Sequence, residues 1–90
     1  MSAVLDRERE VENLGIAQFL INNRVGRIMQ AIYAEEEKQH PDKTYLAALR
    51  VSHSAVWDDR RAMQGGKPDV VEVMIEKYDR LSNAEPTVHD

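Results

Sequence analysis

Ninety residues with a net charge of −4, spread in both signs along the chain, make one small domain and leave no basic face that would hold a nucleic acid by charge alone. The absence of cysteine removes disulfide staples and thiolate metal or redox sites. No apolar run approaches the roughly 18 residues of a membrane span, and the charged start MSAVLDRERE carries no signal-peptide segment, so a soluble, cytoplasmic protein is expected.

Pro41, then Gly65-Gly66 with Pro68, then Pro86 divide the chain into three segments of helical apolar spacing and a tail. The first helix is expected over residues 3–39. Val11, Leu14, Ile21, Val25, Ile28 and Ile32 fall on spacings of three, seven, four, three and four, a seam that only Gln18 interrupts. Ala17, Phe19, Leu20 and Met29 widen the stripe. The seam keeps its phase through Asn22-Asn23, which predicts one continuous or gently bent helix with Gly15 and the asparagine pair as its weak points. Ser2 is placed to cap the start, near Asp6, Glu8 and Glu10. At the other end Glu35, Glu36, Glu37 and Lys38 read as a solvated charged turn. Glu37 and His40 have the Glu-x-x-His spacing of di-metal bundles, but there is no second such pair, and no metal or other cofactor is expected.

The second helix is expected over residues 44–64, capped by Thr44 or Asp42. It presents Tyr45, Leu49, Val56 and Met63, with Ala48, Ala55 and Ala62 allowing close approach, and Gly65-Gly66 ends it. The third is expected over residues 69–82, with Pro68 and Asp69 in its first turn. Val70, Val71, Met74, Tyr78 and Leu81 form its apolar side. Residues 83–90 read as a polar, disordered tail beyond a single domain of residues 1–82.

Helical rise gives the first helix a length of roughly 50 Å, the second about 30 Å and the third about 20 Å. Neither short helix covers the long stripe, so the remainder is expected to be buried against a second copy through Leu14, Ile21, Val25, Ile28 and Ile32. The fold class expected is all-α: a small helical bundle or helical hairpin on one long N-terminal helix, completed as a homodimer.

Only residues 49–61, LRVSHSAVWDDRR, offer a mechanism. With Leu49, Arg50, Val51 and Ser52 as a turn, His53-Ser54-Ala55 as the start of a second helix and Val56 as its anchor, the stretch resembles a repressor-type helix-turn-helix over about fifteen residues. That resemblance implies a small dimeric DNA-binding transcriptional regulator, using residues 44–64 and turning Ser52, His53, Ser54, Trp57 and Arg61 toward a major groove. Arg50 stands where the motif has a glycine, Leu46 where it has a small residue, and Asp59 where it buries an apolar side chain. Asp58 would also face phosphates, and the net negative charge disfavours nucleic acid.

On an uninterrupted helix, Trp57, the only tryptophan, lies one turn from Arg61, whose guanidinium can cover the indole. Trp57 with Arg60 and Arg61 has the composition of a protein-binding hot spot. No phosphate loop, nucleophile elbow or histidine triad is present. Arg24 and Arg27 lack the flanking pattern of small helical enzymes such as chorismate mutases. The leading expectation is therefore a non-enzymatic protein–protein interaction module of bacterial or phage type, an adaptor, inhibitor or regulatory subunit. Trp57, Arg60 and Arg61 would meet the partner, with no catalytic residue; the helix-turn-helix regulator is the alternative.

Overall fold

The computed structural model describes residues 3–84. It contains α1 (Ala3–Glu36), α2 (Lys43–Ala62) and α3 (Pro68–Ala84), and no strand among the described residues. The chain is all-α. Ser2 and residues 85–90 of the expected tail lie outside the described residues, whereas Asn83 and Ala84 belong to α3.

α1 runs unbroken through Asn22-Asn23 and ends at Glu36, short of residue 39. Its 34 residues give a spine about 50 Å long at 1.5 Å per residue. The molecule measures 59 × 23 × 15 Å, with a radius of gyration of 16.0 Å. A compact chain of this length would have about 12 Å, so the shape is that of the spine.

α2 and α3 lie staggered along that spine. α2 doubles back beside the C-terminal half of α1, its course marked by Arg50 bonded to Glu36 at 2.8 Å and Arg60 bonded to Asn22. α3 starts beside the N-terminal half, where Pro68, Val71 and Glu72 border a hollow with Asp6, Glu10 and Asn13. Both pack mainly on α1 and scarcely on each other. Taken singly, neither would cover the α1 stripe; together they cover it from Leu14 to Ile32, whereas Val11, the first residue of the expected seam, is 67% exposed. The core joins Ala17, Ile21, Ile28 and Ile32 of α1 to Leu46 and Val56 of α2, Met63 just beyond it, and Val71, Met74 and Tyr78 of α3.

This arrangement corrects the expected self-association seam. Ile21, Ile28 and Ile32 are buried inside their own chain, and Leu14 and Val25 pack half-buried against the same core. Burying such a side chain is worth roughly 1.5–3 kcal/mol, and here the chain itself supplies the partner surface. Phe19, expected to widen the stripe, is instead 69% exposed on the opposite side.

Two turns hold the lids in place. At the α1–α2 turn Glu35 is buried, not solvated. Its carboxylate accepts the Asp42 backbone N–H at 2.8 Å and pairs with Lys38 at 2.9 Å. Those two partners hold it below the ordinary glutamate value, the backbone bond contributing most. Asp42, rather than Thr44, is the cap: its side chain accepts the Tyr45 N–H at 3.1 Å. After α2 the backbone turns at Gly66, whose φ of +66° suits glycine and whose N–H returns to Met63 O at 2.9 Å. No helix among the described residues is long and apolar enough to cross a membrane.

Candidate functional site

Arg50 decides how residues 49–61 are arranged. It sits in the middle of α2, which is helical from Lys43 to Ala62, and its guanidinium is engaged by Glu36. The turn that the helix-turn-helix resemblance needs is not formed. Of the residues that resemblance would bring to a groove, His53, Trp57 and Arg61 follow one another at four-residue steps. Ser52 falls on another flank of the helix, and Ser54 is exposed.

Trp57 is 40% exposed and fixed from both sides. Its Nε1–H donates to His53 Nε2 at 3.2 Å, with the two rings edge-on at 67° and 6.2 Å between centroids. That bond requires His53 Nε2 to be without a proton. The guanidinium over the indole belongs to Arg60, 4.6 Å from the ring centroid, and not to Arg61. Arg61 is taken by Asp58, three residues back. Arg60 also reaches the Asn22 side-chain oxygen on α1, so the Trp57 cluster is braced against the spine. Sequence reading missed Asn22 in this role, since nothing local to α2 points to it.

Asp59 organises the other flank of α2. Read in the sequence as an awkward buried carboxylate, it is satisfied: Tyr78 Oη–H donates to it at 2.5 Å and Lys77 Nζ at 2.6 Å. Burial pushes its carboxyl up, but the Lys77 and Tyr78 hydrogen bonds and the Lys77 charge outweigh this and leave it below the ordinary aspartate value. Burial, then the bond to Asp59 and its charge, raise the Tyr78 phenol. This group joins α2 to α3.

Among the described residues no group of three or more histidines, cysteines or carboxylates could hold a metal. The hollow around Ala3, Val4, Arg7, Glu8, Val11 and Glu12 is lined by α1 alone; it is an exposed helix side, not a cleft. Two exposed features stand out among the described residues: the braced Trp57 on α2 and the outward side of α1. No protein-family model, curated protein or solved structure matches the chain.

Proposed function

We propose that the chain is a small non-enzymatic interaction module that binds another protein through the Trp57 face of α2. The observation that carries this reading is the braced, half-open indole. A large aromatic side chain held in one position by His53 and Arg60 has already lost the rotamer freedom that binding would otherwise remove. Tryptophan and arginine are also the residue types that dominate binding hot spots. Arg60 contacts the Asn22 oxygen and the indole, both uncharged groups. The chemistry fits a polypeptide segment with an apolar side chain for the indole and a carboxylate beside it for Arg60. A DNA-reading role lacks the turn at Arg50 that it would rest on, and no gel shift is expected even at low salt.

The test is affinity capture from the native host with the tagged chain beside Trp57→Ala and Arg60→Ala, followed by titration of the captured protein after purification. Loss of a hot-spot residue costs about 2 kcal/mol or more, which is about 30-fold in Kd. A purified partner that binds Trp57→Ala as tightly as the parent chain removes this face from consideration.

A further inference from the structure

The side of α1 turned away from the core carries exposed apolar residues at intervals, with Glu8, Glu12, Asn23 and Gln30 exposed among them. Val4, Val11, Phe19 and Tyr33 are each more than half exposed there, and Gly15 and Gly26 lie between them. Neither glycine has any atom within 4 Å of where a Cβ would stand, so nothing inside the chain calls for either. Each costs the helix about 0.5–1 kcal/mol relative to alanine. Val4, Gly15 and Gly26 recur at eleven residues, the spacing that lets two helices lie side by side with only a slight right-handed twist.

We infer that this face binds a second copy of the chain, antiparallel, with the two-fold axis at Phe19. An antiparallel register about Phe19 sets bulk against gap: Val11 and Glu12 meet the partner's Gly26, and Val4 and Leu5 meet the partner's Tyr33. It also sets opposite charges together, Glu12 beside the partner's Arg27, twice by symmetry. A parallel pair would instead stack Glu8 on Glu8 and Glu12 on Glu12. Self-complementarity of this kind identifies the occupant as the same sequence, since one strip supplies both the knobs and the gaps. A strip about 50 Å long and about 10 Å wide buries roughly 500 Å² per copy, close to the lower limit for specific association, so the dimer is a reversible one. The inference rests on the α1 face and not on Trp57, and its failure leaves the partner reading in place.

Because the chain has no cysteine, single-cysteine variants read the register directly under mild oxidation. Phe19→Cys is expected to give a covalent dimer alone. Glu12→Cys and Gly26→Cys, each some 20 Å from its symmetry mate, are expected to remain uncoupled alone and to couple when mixed. Homotypic coupling at all three positions means a parallel pair and overturns the proposal. Sedimentation of the parent chain is expected to show the mass rising from 10.3 kDa toward twice that value over micromolar concentrations, and Phe19→Glu is expected to hold it at the monomer with unchanged helical circular dichroism. A parent chain that stays monomeric at about 1 mM, where even a weak specific pair associates, overturns the dimer. A Phe19→Glu variant that still dimerises overturns this face as its seat.

Discussion

Phe19 and Ile21 sit two residues apart on α1 and share no surroundings. Ile21 is wholly buried between the spine and its lids, whereas Phe19 is 69% exposed on the far side. Their side chains are comparably apolar; what differs is what covers them. α2 and α3 reach only one side of the spine, and an apolar residue on the other side meets solvent or another molecule. The lesson is that an apolar pattern along a long helix reports a preference for burial, while coverage is settled by where the rest of the chain lies.

The largest expected effect separates these two neighbours. Ile21→Ala should lower unfolding stability by about 2–5 kcal/mol, and Phe19→Ala by less than about 0.5 kcal/mol at concentrations too low for self-association. Urea unfolding followed by Trp57 fluorescence would show it, and equal losses would erase the distinction between the two sides. The neighbouring aspartates of α2 make a second such pair. Asp59→Ala, which strips Lys77 and Tyr78 of their acceptor, should cost about 1–3 kcal/mol. Asp58→Ala removes only the exposed ion pair with Arg61 and should cost less than about 1 kcal/mol.

The pH dependence follows from the same contrast between buried and exposed groups. Asp59 and Glu35 are held below their ordinary values of 3.8 and 4.5 in the fold, so the unfolded chain takes up their protons first. Their contribution is therefore present above about pH 4.5 and is lost as the pH falls through the lower folded values. Tyr78 is raised above its ordinary 10.0; its contribution is complete below that value and declines as the pH climbs through the folded one. Acid and alkaline titrations of Asp59→Asn should be flatter than those of the parent at both ends. Two glycine effects oppose each other in sign. Gly26→Ala should stabilise the fold by about 0.5–1 kcal/mol while weakening self-association, whereas Gly66→Ala, at a left-handed turn, should destabilise it by roughly 1–2 kcal/mol. Thermal melts of both variants beside the parent would decide this.

Much of the fold is legible in the sequence because its punctuation is unambiguous: Pro41, Gly65-Gly66 and Pro68 bound all three helices to within a few residues. The seam through Ile21, Ile28 and Ile32 correctly marks the buried side. What covers that side is not legible, because periodicity gives a helix its apolar face and says nothing of how two shorter helices divide it. The staggered placement of α2 and α3 depends on the five residues between them and on packing distant in sequence. Glu35 hides within a run of charged residues, and its burial and its bonds to the Asp42 backbone and Lys38 distinguish it from Glu36 and Glu37. At the candidate site, Trp57 was singled out by its type, but its cation is Arg60 because Asp58 claims Arg61. The brace at Asn22 lies 38 residues away.

The scarcity of contact between α2 and α3 has a kinetic consequence. Each lid docks on the spine on its own, with Asp59 as their chief link, so the molecule can open in parts. α3 is released by losing its α1 packing and the Asp59 bonds, while the hairpin of α1 and α2, locked at Glu35 and Asp42, stays shut. Amide hydrogen exchange should therefore show two cooperative units, with α3 exchanging through an opening smaller than global unfolding and Asp59→Ala accelerating α3 alone.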